Sequence, residues 1–190
     1  MYYDPYMYGY PNHYYANVPM YPYRSQPYWT VPNEMVYSAP FGYPYPTIDS
    51  RIVIKDYGKN PFVVNIKEAT KQNNTFRTAL WTGNHLQVTL MSINVGEDIG
   101  VEIHPSVDQF LRVEDGHGIV RMGDRKDHLD FEERVSDDSA IMVPAGKWHN
   151  IINTGNKPLK LYSIYAPPKH PFGTVHKTKA AAMAAEKHHS

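Results

Sequence analysis

The chain has 190 residues, with 19 Lys and Arg balanced by 19 Asp and Glu, 10 His and no cysteine. A formal charge of zero excludes the strong basic field that non-specific nucleic-acid binding needs. The missing cysteines exclude a disulfide framework, Cys-ligated zinc or iron–sulfur centres and thiol catalysis.

No run approaches ~18 consecutive apolar residues, so no membrane span is expected. The first residues lack the basic, apolar, small-residue order of a secretory signal, which makes the cytoplasm the expected location.

Residues 1–46 form a region of their own. They hold 13 of the 16 Tyr and 9 of the 16 Pro, no Leu or Ile, and only three charges, Asp4, Arg24 and Glu34. Frequent Pro forbids a helix interior and biases each preceding residue to extended conformations. Without aliphatic side chains there is little from which to build a core. The segment reads as a disordered or extended tail, sticky through its tyrosines.

From residue 47 the pattern changes to short strands between turn signals. Strands are predicted over 51–55, 61–67, 76–81, 86–94, 100–104, 109–114, 118–122, 129–134, 140–143, 149–153 and 159–165. Breaks fall at Thr82-Gly83-Asn84, Asp115-Gly116, Gly123-Asp124, Pro144-Ala145-Gly146 and Thr154-Gly155-Asn156. Many short strands at close spacing argue for an all-β sandwich or barrel. A turn or two of helix is expected near 68–73. The Ala-rich stretch 179–187 is helical but too short to be stable alone, so it docks on the barrel or frays. The resulting division is a tail over 1–46, a β-barrel over 47–175 and a partly helical tail over 176–190.

Polar residues that suit chemistry gather in two stretches. Strand alternation puts Glu102 and His104 on one face, with Val101 and Ile103 on the other. After the turn at 105–107, Gln109, Leu111 and Val113 share a parity. A second histidine, His149, follows the turn Pro144-Ala145-Gly146. A carboxylate and two imidazoles facing one interior suit Fe, Mn, Ni or Zn as a divalent ion. Gln87, Thr89 and Met91 alternate with Leu86, Val88 and Leu90, and they are candidate ligand-binding groups if their face lines the barrel. Tyr162 and Tyr165, on the last predicted strand, are further candidates, with Tyr162 preferred.

These two stretches resemble the two motifs of the cupin superfamily. In the first, Gly, five residues, His-x-His, three or four residues, Glu, six residues, Gly aligns on Gly96 and Gly116. Glu102 then falls at the first His position, His104 at the second and Gln109 at the Glu position. In the second, Pro144, Gly146, His149 and Asn153 fall in register, with Asp138 where a leading Gly would stand. The resemblance covers about residues 76–167. It implies a double-stranded β-helix, the cupin or jelly-roll barrel, carrying a disordered N-terminal tail and a short C-terminal helix. It also implies a metal held by Glu102, His104 and His149, with Gln109 as a weak oxygen ligand or a hydrogen-bonding group. The alternative is a barrel without metal that keeps a polar pocket.

Two functions follow. One is a metal-dependent enzyme on a small oxygenated ligand, of isomerase, lyase or dioxygenase type. The oxygen donors at 102 and 109 turn the preference toward isomerase or lyase chemistry. The other is a non-catalytic barrel whose Tyr/Pro tail, similar in composition to spore coat segments, assembles into a protein layer. Cupin resemblance and exposed sheet edges imply a homodimer.

Overall fold

The chain divides into two units, Met1–Pro46 and Thr47–Ser190. The structure, a computed structural model, describes residues 51–187. The tail reading lies outside the described residues, as do His188 and His189, which could bind metal adventitiously.

The elements in chain order are α1 (Ile66–Gln72), β1 (Arg77–Thr82), β2 (Gln87–Ile93), β3 (Glu102–Ile103) and β4 (Asp108–Asp115). Then come β5 (His117–Gly123), β6 (Phe131–Ser136), β7 (Ala140–Val143), β8 (Trp148–Asn153), β9 (Leu159–Ala166), β10 (Val175–His176) and α2 (Lys179–Lys187). They form a six-stranded sheet of order β10-β1-β2-β9-β4-β7 and a four-stranded sheet of order β3-β8-β5-β6. This is the all-β architecture expected from the strand spacing, in the double-stranded β-helix form that the family resemblance implies.

Two apolar layers hold it. The inner one, between the sheets, is built from Met91, Ile93, Leu111, Val113, Val120, Ile151, Leu159 and Leu161 with their neighbours. The outer one lies against the opposite face of the large sheet. There Leu80 and Leu90 pack with Ala69 and the half-buried Ile52, Ile54, Phe62, Val64 and Tyr162. This second layer explains a difference from the sequence reading. Residues 51–55 and 61–65 show strict alternation of exposed and half-buried positions but are not strands. They are extended segments laid on a sheet, and their alternation records one-sided burial rather than ladder pairing. The helix begins earlier than expected, at Ile66, because the Asn65 side chain caps it by accepting from the Glu68 N–H.

The barrel extends further along the chain than expected. The boundary drawn between 175 and 176 runs through β10, whose Val175 and His176 pair with Thr78 and Arg77 of β1. Helix α2 docks rather than frays. Ala182 is buried in the inner core, and the Lys179 ammonium reaches the Asp98 carboxylate at 2.6 Å.

Backbone geometry accounts for two motif positions. Asp138 has φ 67° and so adopts the left-handed conformation for which the motif ordinarily uses Gly; Asp is among the non-Gly residues that tolerate it best. Gly116 has φ 102°, and a Cβ there would approach the Leu159 Cα to 3.0 Å, so both conformation and space require glycine.

Asn153 ties three segments together. Its amide nitrogen donates to the carbonyls of Ile93 and Lys157, and its side-chain oxygen accepts from the Gly155 N–H, each at 2.9 Å. Asn153→Ala is expected to lower stability by about 2–3 kcal/mol, because buried backbone groups lose their partners. Urea unfolding of wild type and variant checks this, and a loss under about 0.5 kcal/mol would refute it.

Candidate metal and ligand site

β3 and β8 pair antiparallel with Glu102 opposite His149 and Ile103 opposite Trp148. The Gly146 N–H donates to the His104 carbonyl at 2.9 Å, pinning the Pro144–Gly146 turn beside the end of β3. Gly146 has φ 80°, which suits a residue without a side chain. Two stretches some 40 residues apart in sequence are thereby brought to one end of the barrel.

Glu102 Oε1 lies 3.5 Å from His104 Nε2 and 3.4 Å from His149 Nε2. His104 and His149 are buried, and Glu102 is 15% exposed. The donor atoms of the three residues all lie within 4.8 Å of one another. Among the described residues none of these three atoms has a hydrogen-bond partner. Buried polar atoms are seldom left so, and a shared cation would satisfy all of them. The spacing fits: an ion bonded at about 2.0–2.2 Å to neighbouring donors holds those donors about 3.0–3.5 Å apart.

The outer hydrogen bond fits as well. His149 Nδ1 lies 3.1 Å from the Lys147 carbonyl, which can only accept. Nδ1 therefore carries a proton, as in a histidine that ligates a metal through Nε2. Burial by itself would raise the Glu102 carboxyl. The two imidazoles and the Arg77 guanidinium outweigh that and hold it well below the usual carboxylate range. Glu102 is thus a fixed anion at neutral pH.

The other residues singled out from sequence have different fates. Gln109 faces inward from β4, 3% exposed; its amide nitrogen donates to Ser163 Oγ at 2.9 Å, and its Oε1 has no hydrogen-bond partner among the described residues. Thr89 also faces inward, fully buried, with its hydroxyl unpaired among the described residues.

Gln87 lies on the right face, but its amide is fully used. It donates to Thr82 Oγ1 and the His170 carbonyl, and its oxygen accepts from the N–H groups of Lys169 and His170. It clasps the segment after β9 rather than presenting a group to a ligand. Met91 shares that face but sits two residues beyond Thr89, inside the apolar core. Tyr162 points the other way, into the outer layer near Phe110. Met91 and Tyr162 are therefore packing residues, not ligand contacts.

Several site groups were not legible as motif positions. Arg77, 1% exposed, brings its guanidinium to 3.8 Å from Glu102. Tyr165 stands in register with both Gln109 and Gln87 and is fully buried, its ring edge-on to His104 and His170. The signal for Arg77 was an arginine inside the otherwise core-like run Phe76–Leu80. His170 lies in a loop, where no alternation could have found it.

Burial, followed by the nearby Arg77 charge, pulls the His170 imidazole down to about 3. Its folded pKa is depressed, so the associated stability is complete above about pH 6.5 and lost as the pH falls toward 3. Between pH 7.5 and 5 this amounts to about 2 kcal/mol. Urea midpoints at the two pH values should show that much less pH dependence in His170→Gln than in wild type, and equal dependence would refute the assignment.

A second carboxylate group, Glu114 with Asp137 and Asp138, differs in kind. Arg112 contacts Glu114 and Asp138, and Lys67 contacts Asp137, so cations of the chain already answer it.

The Cupin_2 family, described as a cupin domain, matches residues 89–165, which include all four motif positions. YrkC of Bacillus subtilis (strain 168) is 65% identical over 98% of this chain and all of its own length. The protein L612 of Acanthamoeba polyphaga mimivirus is 43% identical over 60% of this chain and 70% of its own. The crystal structure of BH2720 from Bacillus halodurans is 70% identical, covers 69% of this chain and 99% of its own, and superposes with a TM-score of 0.68. Among the described residues no helix is long and apolar enough to cross a membrane. With the double-stranded β-helix, both motifs in register and these relatives together, the chain belongs to the cupin family.

Proposed function

We propose that this cupin binds one divalent metal ion through Glu102, His104 and His149, with Gln109 beside it, and acts there as an enzyme on a small oxygenated ligand. The observation that carries the reading is the buried meeting of one carboxylate oxygen with two imidazole nitrogens at 3.4 and 3.5 Å, none of them hydrogen-bonded among the described residues.

A bound ion would supply Lewis acidity to ligand oxygens. The protein's part is positional. Glu102 provides the negative charge, the Lys147 carbonyl sets the His149 tautomer, and Ser163 orients the Gln109 amide. Thr89 and Tyr165 offer hydroxyls to a ligand from β2 and β9. His170, neutral at physiological pH, is a hydrogen-bond partner on the same side of the barrel as Tyr165. Relative to the family pattern the carboxylate has moved from 109 to 102 and one imidazole has become an amide oxygen. The donor set is richer in oxygen and suits harder ions such as Mn(II) or Fe(II), which favours isomerase or lyase chemistry.

The test is elemental analysis of the full chain, with His188 and His189 replaced, after metal stripping and reconstitution. One equivalent of a divalent ion in wild type and none in His149→Ala supports the site; negligible metal in both overturns it.

A further inference from the structure

The metal reading leaves unused the Tyr/Pro segment 1–46, and the barrel offers a surface of matching chemistry. A groove of about 640 Å³ lies between residues 59–66 and the outer face of β1 and β2. Phe62, Leu80, Trp81 and Val88 line it, with Val63 at 97% exposure and Lys59 beside them.

Its aromatic walls are fixed in place. The Trp81 Nε1–H donates to the Asn60 carbonyl at 2.8 Å. The indole lies against Gly83, where a Cβ would come within 2.4 Å of the ring. Phe62 stacks on Tyr57, with ring centroids 3.9 Å apart and planes at 14°. The one polar group of Trp81 is thus spent inside the chain, and its ring is left to form an apolar wall. A rigid aromatic groove suits a proline-rich strand, whose preset backbone loses little entropy when laid down, and it suits the faces of tyrosine rings.

Stoichiometry points to the occupant. Within residues 1–46, Pro and Tyr are adjacent at five places: Pro5-Tyr6, Tyr10-Pro11, Tyr21-Pro22-Tyr23, Pro27-Tyr28 and Tyr43-Pro44-Tyr45-Pro46. Five units against the one groove that Phe62 and Trp81 form leave most units of every chain open to the grooves of others. At ~3.1 Å per residue, a proline-rich segment of this length spans up to about 140 Å, enough to reach a neighbour.

We propose that this groove binds a Tyr/Pro unit from residues 1–46 of a second copy of the chain. Segment and groove are different surfaces, so the contact is head-to-tail and open-ended, and it joins barrels in series. It uses none of the metal-site residues, and either reading can fail alone.

The experiment follows the mass of the full chain by sedimentation from ~2 to ~200 μM. The mass is expected to rise with concentration. Val63→Asp places a charge at an exposed position of the groove and should move that rise to at least about tenfold higher concentration. Met142→Asp, at a 65% exposed position on β7 outside the groove, should leave it unchanged. An excess of the free peptide of residues 19–28 should suppress the rise in wild type. The same peptide with Tyr21, Tyr23 and Tyr28 replaced by Ser should not.

A mass that does not grow with concentration overturns the proposal, as does growth that Val63→Asp leaves in place. Growth abolished by Met142→Asp puts the contact on another face and overturns it too. A peptide that fails to compete overturns the occupant, and equal competition by the serine peptide overturns the Tyr/Pro chemistry. Circular dichroism accompanies each variant. If Val63→Asp does not fold, the peptide competition decides: suppression by the native peptide alone supports the proposal, and any other result overturns it.

Discussion

His149→Ala is expected to lower the affinity of the full chain for Mn(II) or Zn(II) by at least about 100-fold. Substituting a residue that merely orients a metal ligand typically costs ten- to 100-fold, and His149 would itself be a ligand. Nothing adjacent can replace it, because its strand partner across the ladder is Glu102, already a donor. The imidazole is fully buried and its Nδ1 is held against the Lys147 carbonyl, so removal empties one corner of the site without freeing another base to move in. The truncation also leaves a cavity, so the urea midpoint must accompany the titration. A folded variant with unchanged metal affinity would place the ion elsewhere or nowhere. His149→Gln, which nearly fills the volume but offers a weak ligand, should lie between wild type and Ala in affinity and be close to wild type in stability.

Leu161→Ala is expected to destabilise the barrel by about 3–4 kcal/mol. Leu161 is fully buried on β9, the central strand of the large sheet, in register with Met91 on β2 and Val113 on β4. Both neighbouring strands are locked by their own partners, so the space left by the removed atoms cannot close. Domains of this size have a total stability of about 5–15 kcal/mol, so the change removes a large share. Met142→Ala, on the edge strand β7 and 65% exposed, is the matched control, with a change under about 0.5 kcal/mol. Chemical denaturation of both checks the pair, and similar costs for the two would contradict the core described above.

The candidate metal positions were legible because they lie in strands and turns with a strong local grammar. Gly96, Gly116 and Pro144-Ala145-Gly146 announce turns, and the two-residue alternation puts Glu102 and His104 together whatever the rest of the chain does. The ligand-binding candidates depended on more. Tyr162 and Tyr165 are three residues apart on one strand and so face opposite sides. Parity says that one of them is inside without saying which. The register of β9 against β2 and β4 decides for Tyr165, opposite Gln87 and Gln109. Met91 was assigned the right face, but depth along the barrel axis is not written in alternation. Thr89 ends up in the polar band and Met91, one step further, in the apolar one. Gln87 faces the interior with its amide spent on backbone that alternation cannot foresee, since it belongs to residues 169–170, over 80 positions away.

Taken alone, the sequence determined a cysteine-free β-barrel with a compositionally separate Tyr/Pro segment, its turns, and a donor set limited to oxygen and imidazole. These properties are local: a strand's two faces, a turn's need for glycine and a side chain's ligand chemistry depend on few neighbours. Only the tertiary structure decided which half of each strand lies near the open end, and that extended segments rather than strands cover the outer face of the large sheet. It also decided that Arg77, Tyr165 and His170 stand beside the candidate site. Those facts depend on pairing between strands far apart in the chain, and on how deep each pair sits, and neither is encoded in any short run of residues.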